Sequence, residues 1–245
     1  MTKFARYDLR HDICSFDFYN VAVIAAARGY RGFVFDGLDN PKCGKWPKPQ
    51  VLERFHSIIE PGPAFLRMDC YYGFGGERIG HPHLRHLVAR YRLGLDFPRL
   101  CSVQAPQLVE YTVTLRQEPR IPERNSNLAA WREFARIIGA RVFEDYAVEP
   151  IPLHERMAYY AGARMNYGVP NGPLFLNFLS TYPVTLFACD RCAGAFGNAG
   201  IKFGRQFPWS QSNQRLVWEP DHLPTLLQHF EETSREGSRR DLVAG

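Results

Sequence analysis

For a basic chain, this one has very little lysine. Of its 30 basic residues only five are lysine, at 3, 42, 45, 48 and 202, so nearly all the positive charge sits on arginine. Those arginines are spread along the chain rather than gathered into a stripe. Despite a net charge of +5, that spread argues against nucleic acid as a partner. No apolar run approaches the ~20 residues of a membrane-spanning helix. The opening residues, MTKFARYDLRHD, lack the apolar stretch of a secretion signal. A cytoplasmic protein with at most peripheral membrane contact is the expectation. No GK[ST] phosphate loop occurs, and no GxGxxG follows a strand. Cysteines stand at 14, 43, 70, 101, 189 and 192, a spacing unlike that of a disulfide scaffold, so reduced thiols are expected. The CxxC at 189–192 has no second pair to complete a zinc site. The histidines of HPHLRH (81, 83 and 86) have only Glu77 in the nearby loop as a carboxylate. No metal and no bound cofactor are expected.

What is present is a core and a rhythm. Hydrophobic residues make up 45% of the chain, enough for a folded interior. In the first hundred residues, strand-like runs (4–9, 31–37, 64–70, 99–104) alternate with helical ones (15–29, 50–59, 84–94). Ser15 is the expected first cap, and Gly29 and Gly94 the stops. The rhythm restarts at YTVTLRQ (111–117), which is β-branched and aromatic. Helices over 128–139, 152–166 and 221–234 alternate there with strands over 140–146, 183–190 and 215–218. The expectation is an α/β protein with two Rossmann-like halves, each with a parallel sheet. Residues 1–105 form the first half, 106–234 the second, and 235–245 a flexible tail.

Ligands of open parallel sheets bind beyond the carboxyl ends of the strands. In the second half that rule points to the loops at 117–127, 146–152, 169–172 and 189–213. The stretch GVPNGPLFLNFL (168–179) places Pro173 in the first turn of a helix, where a missing N–H costs nothing. Gly172 is expected as the N-cap, with Asn171 offering its amide. Together they form a helix start whose free N–H groups suit an anion. Arg116 ends the YTVTLR strand at the same edge, and Arg124, Asn125 and Ser126 follow in the next loop. This combination suits a diphosphate. The alternatives are local ion pairing by Arg116, capping by Ser126 or Asn127, and an ordinary strand-to-helix turn.

On VTLRQ (113–117), ERNSN (123–127), ERMAYYAGARMNYGVPNGPLFL (155–176) and PVTLFACD (183–190), the second half resembles the donor-binding domain of GT-B glycosyltransferases. The pattern is similar to that of bacterial polysaccharide, heptosyl- or fucosyl-type enzymes. The resemblance covers roughly residues 111–230 and rests on order and spacing. It implies a nucleotide-sugar donor, a glycan or lipid-linked acceptor and a role in surface polysaccharide synthesis. It further implies that Gln206, Trp209 and Gln214 lie near the donor. The chain is shorter than typical members, and the acceptor half carries no motif of the family. A binding module or another sugar-nucleotide enzyme, such as an epimerase, is the alternative. Transfer to a hydroxyl needs a base, and Asp8 and His11, just past the first strand, are the expected candidates. Asp17 is expected to support the following helix.

Overall fold

The computed structural model describes residues 3–12, 14–41, 47–79, 84–96, 98–100, 109–119, 121–144, 151–188 and 192–244, except the side chains of residue 195 and of 236 onward. The first half builds β1 (Phe4–Asp8), α1 (Phe18–Ala27), β2 (Gly32–Asp36), α2 (Lys48–Arg54), β3 (Asp69–Tyr72), β4 (Glu77–Arg78) and α3 (Leu84–Arg92). Its four strands lie in the order β3-β2-β1-β4, and every pairing is parallel. The strand expected at 64–70 starts only at Asp69. Residues Pro63–Leu66 wind into a 3₁₀ turn and Arg67 takes a left-handed φ of 54°. Pro63 presets a helical φ and cannot donate to a ladder, so the chain turns before it extends. Beyond α2 the helix loosens into a π-helical turn, Phe55–Ile59, a form often found at functional sites.

The second half builds β5 (Tyr111–Leu115), α4 (Leu128–Ile138), β6 (Arg141–Glu144), α5 (Leu153–Gly162), β7 (Met165–Gly168), α6 (Gly172–Leu179), β8 (Val184–Phe187), α7 (Ala193–Asn198), β9 (Gln214–Val217) and α8 (Leu223–Ala244). All five strands are parallel, in the order β6-β5-β7-β8-β9. This is a doubly wound order whose crossovers diverge between β5 and β7, the place where such sheets take ligands. Alternation on β5 sorts its two faces. Tyr111, Val113 and Leu115 join Trp131, Phe134, Tyr167 and Leu226 in one core, under α4 and α8. Burying a side chain such as Phe134 contributes roughly 1.5–3 kcal/mol. Thr112 and Thr114 face the other way, where their hydroxyls meet Asn166 Oδ1 at 2.6 Å and the Tyr160 hydroxyl at 2.7 Å.

Asn127 caps α4 by accepting from the Ala130 amide, and Gly139, at φ 65°, ends it. α8 runs on to Ala244, through residues expected as a tail. The second core is continuous between the halves. It joins Phe18, Phe33, Phe35 and Leu87 of the first to Phe178, Phe207 and Trp209 of the second. Arg99 reinforces that seam by donating to the Phe178 and Trp209 carbonyls, each at 3.1 Å. The two sheets therefore form one α/β body. No described helix is long and apolar enough to cross a membrane.

Candidate functional site

A cleft of about 1410 Å³ lies between the halves. Its second-half wall starts at the switch point. Arg116 follows β5, and Pro170, Asn171, Gly172 and Pro173 follow β7, all lining the cleft. β5 and β7 are adjacent and in register, so these two loops leave the sheet side by side. An Arg116 Nη1 hydrogen bond to the Pro170 carbonyl, 3.4 Å, joins them.

Arg124 lines the same wall, and its position is built by two neighbours. Ser126 accepts from the Arg116 amide at 2.9 Å through Oγ and donates its own amide to the Arg116 carbonyl at 3.1 Å. Asn125 accepts from the Glu118 amide at 2.8 Å and donates to the Glu118 carbonyl at 3.1 Å. The loop is thus tied across its base, with one arginine on each arm. Asn125 and Ser126 do not themselves line the cleft; they act on it by holding Arg116 and Arg124. The Arg124 Nε is buried without a hydrogen-bond partner. That is costly unless a ligand satisfies it.

The helix start differs from expectation in two ways. Asn171, not Gly172, is the N-cap. It is extended, its Oδ1 accepts from the Leu174 amide at 2.8 Å, and its Nδ2 donates to the Val169 carbonyl at 3.1 Å. A side chain with an acceptor caps better than glycine, so Asn171 is committed to the turn. Pro173 has no N–H, which leaves the Gly172 amide as the first-turn group able to face a ligand. Gly172 itself is required by packing. A Cβ there would lie 2.1 Å from Cδ2 of Phe16, so the close approach is made by a ring from the first half.

Three further expected donor residues lie away from the cleft. Gln214 is buried, and its side-chain amide nitrogen, Nε2, donates to the carbonyls of Asn177, Ser180 and Tyr182, stitching the end of α6 to β9. Gln206 pairs with both backbone groups of Leu216, lengthening the edge of β9 as a strand would. Trp209 is buried and stacks on Phe207 at 5.3 Å. Gln214 and Gln206 close structure because a side-chain amide beside an unsatisfied backbone edge pairs with it first, and Trp209 fills the core. Their separation from the cleft is invisible in a motif.

The first-half wall holds Phe16, Asp17, Asn20, Glu53, Arg54 and His56. Asp8 and His11 are not among the residues lining the cleft. Asp8 is buried in an ion cluster, with Arg10 at 2.8 Å and Arg6 at 3.1 Å, while Arg10 also reaches Asp36 at 2.8 Å. Hydrogen bonding from Arg10, which outweighs burial, holds the Asp8 carboxyl down at about 2. A carboxylate so strongly favoured in its ionised form is a poor proton acceptor. His11 is exposed and uses its amide on the Asp8 carbonyl.

His56 is the group that sequence patterns missed. It sits on the π-helical turn and lines the cleft. Its Nδ1 is 2.8 Å from Glu60 Oε2, and Glu60 also accepts from the Tyr72 hydroxyl. Burial pushes the Glu60 carboxyl up, but Tyr72 and His56 together hold it below its usual value. The ionised Glu60 orients the ring and leaves Nε2 as the acceptor. The spacing of four between His56 and Glu60 was readable, but not that it falls beside a cleft. Nearby, Asn20 is 2% exposed and its Oδ1 has no donor. In all, five arginines (54, 85, 116, 124, 156) face three carboxylates (17, 53, 118) around the cleft, which suits an anionic ligand. Arg156 is braced by a 2.8 Å bond from Nε to the Tyr160 hydroxyl and lies 5.2 Å above the Phe143 ring.

Among the described residues, no group of three or more His, Cys, Asp or Glu is placed to hold a metal ion. Cys189, His81 and His83 lie outside the described residues. No known protein-family profile matches the chain, and no curated protein matches it. Among solved structures it is similar to the bacterial iron-containing dodecameric glycosyltransferase TibC from enterotoxigenic E. coli H10407. The TM-score is 0.44 and the identity 13%, over 76% of this chain and 58% of that one. It is also similar to the dodecameric iron-containing heptosyltransferase TibC in complex with ADP-D-beta-D-heptose. There the TM-score is 0.40 and the identity 15%, over 76% of this chain and 57% of that one. The chain thus spans less than two thirds of the length of these structures.

Proposed function

We propose that the protein is a glycosyltransferase that moves a sugar from a nucleoside diphosphate sugar to a hydroxyl of a glycan acceptor. The observation that carries this reading is the tied loop at the switch point. It sets Arg116 and Arg124 on the wall of a cleft flanked by the carboxyl ends of two parallel sheets. Two guanidiniums and the Gly172 amide suit the two phosphates of a departing diphosphate, whose charge grows as the bond to the sugar breaks. A preorganised arginine pair supplies that stabilisation without reorganising.

The opposite wall would take the acceptor. In this reading the acceptor hydroxyl attacks the anomeric carbon and the carbon–oxygen bond to the diphosphate breaks. The hydroxyl proton passes to Nε2 of His56, and Glu60 stabilises the imidazolium that results. Asn20 Oδ1 would accept from a second hydroxyl of the acceptor. Synthesis of a surface polysaccharide fits this chemistry.

Isothermal titration with a panel of nucleoside diphosphates tests the reading. Binding should be saturable, and Arg116→Ala should weaken it by about 10- to 100-fold, the range of a lost charge-assisted hydrogen-bond pair. Absence of binding for every nucleoside diphosphate sinks the proposal. Binding without sugar transfer would leave a non-catalytic carrier of the same ligand.

A further inference from the structure

A second cavity, of about 140 Å³, lies on the far side of the second half. Its residues come from the amino ends of the strands: Arg164 precedes β7, Tyr111 opens β5, and Asn213 precedes β9. Thr233 and Ser234 of α8 close it. It is therefore at the edge of the sheet opposite the cleft, and nothing in the proposed transfer uses it.

Much of the lining is apolar, including Met165 and Pro183, with a few polar groups set into it. Arg164 and Arg215 bring two positive charges and Tyr111, Tyr167 and Ser234 bring hydroxyls, while the Thr233 hydroxyl donates to the His229 carbonyl at 2.8 Å. Glu110 shares Arg164 at 3.6 Å but does not line the cavity. Two of the lining groups are unsatisfied. Tyr167 is 0% exposed and its hydroxyl makes no hydrogen bond of normal length, with the Thr233 hydroxyl beside it. Asn213 Oδ1 is buried and has no donor, while its Nδ2 is committed to the Thr181 carbonyl at 3.2 Å. That bond fixes which end of the amide faces inward. A buried tyrosine hydroxyl and a buried amide oxygen left unpaired each carry a desolvation cost that a bound ligand would remove.

We infer that this cavity binds a single inorganic hydrogen phosphate ion. Guanidiniums and hydroxyls match its ionised oxygens, and the cavity is too small for a nucleotide. The unpaired Asn213 oxygen decides among oxyanions, because it needs a proton to accept. Inorganic phosphate keeps one proton throughout the neutral range. Sulfate has none, and a phosphate monoester gives up its second proton near pH ~6. Asn213 thus favours inorganic phosphate over both.

The test is calorimetric titration of sodium phosphate, sodium sulfate and glucose 6-phosphate into the full chain at pH ~7.5, above the monoester transition. It is done in an Arg116→Ala, Arg124→Ala background, so that the cleft's own affinity for phosphate is removed whether or not the chain is a transferase. The expected result is saturable binding of one phosphate, with sulfate and glucose 6-phosphate at least tenfold weaker. Tyr167→Phe, which removes one oxygen and keeps the ring packed, should weaken phosphate binding about tenfold, and Asn213→Ala should erase the preference over sulfate. The inference is overturned if phosphate does not bind in this background, if sulfate binds equally well, or if both variants bind phosphate as the parent does.

Discussion

Both halves place arginines on or just after their first strand, and the two sets are held in different ways. In the first half, Arg6 and Arg10 are taken up by Asp8 and Asp36 at the ends of β1 and β2. In the second half, Arg116 and Arg124 line the cleft on a loop that serine and asparagine tie to the backbone, with Glu118 on the same wall. Aspartate next to arginine gives a stable strut, whereas a neutral residue that ties the loop gives a charged wall. The comparison teaches that position at a sheet edge does not by itself make a site. The neighbours decide whether the arginine is buried in an ion cluster or set on the wall of a cleft.

The comparison breaks most sharply at acceptor activation. If the carboxylates of the first half are spent on arginine, proton transfer falls to His56. His56→Gln should then lower kcat by about 10²- to 10⁴-fold, the usual contribution of a positioned base, with the donor KM little changed. Asp8→Asn should leave kcat within a few-fold under folding conditions. Steady-state kinetics with a transferred sugar would measure both. The reverse ranking would return the base to the ion cluster and undo the contrast.

Much of this architecture was legible beforehand. The alternation of periods gave two parallel-sheet halves, and β5 was plain from its threonines, valine and tyrosine. Glycines 29, 94 and 139 all take positive φ just past a helix, where glycine alone is unstrained. The site was legible only in part. Arg116 and Arg124 line the cleft because strand ends have a fixed place in a parallel sheet. Gln206 and Gln214 lie away from the cleft, because an amide reads the same in sequence whether it meets a ligand or a carbonyl. The 3₁₀ turn at 63–66 and the dyad on the π-helical turn depend on local winding that period counting cannot see.

The seam between the halves gives the next prediction, of middling size. Gly172→Ala forces its methyl into Phe16, so it should destabilise the protein by about 1–3 kcal/mol, the cost of overpacking. Phe16→Ala in the same chain should recover part of that loss, because the ring is the obstacle. Chemical denaturation of the two single variants and the double variant gives the coupling. Simple additivity would mean that Gly172 is needed by its own backbone and not by the other half.

Acid sharpens the comparison with the smallest effect, and its sign follows from Asp8. Hydrogen bonding from Arg10 holds that carboxyl at about 2, below its ordinary 3.8. A depressed carboxyl adds stability that is complete above its ordinary value and is lost as pH falls toward its folded value. The strut should therefore be at full strength at neutral pH and weaken between about pH 4 and pH 2. Asp8→Asn cannot ionise, so it should be less stable at pH ~7 and should show a shallower loss across that acid window. Arg116→Ala should keep the parent's slope there, because the second-half arginines are not coupled to Asp8. Denaturant midpoints taken at several pH values distinguish these cases. Parallel acid profiles for the parent and Asp8→Asn would show that Asp8 does not hold the strut, and the contrast between clustered and cleft-lining arginines would lose its thermodynamic half.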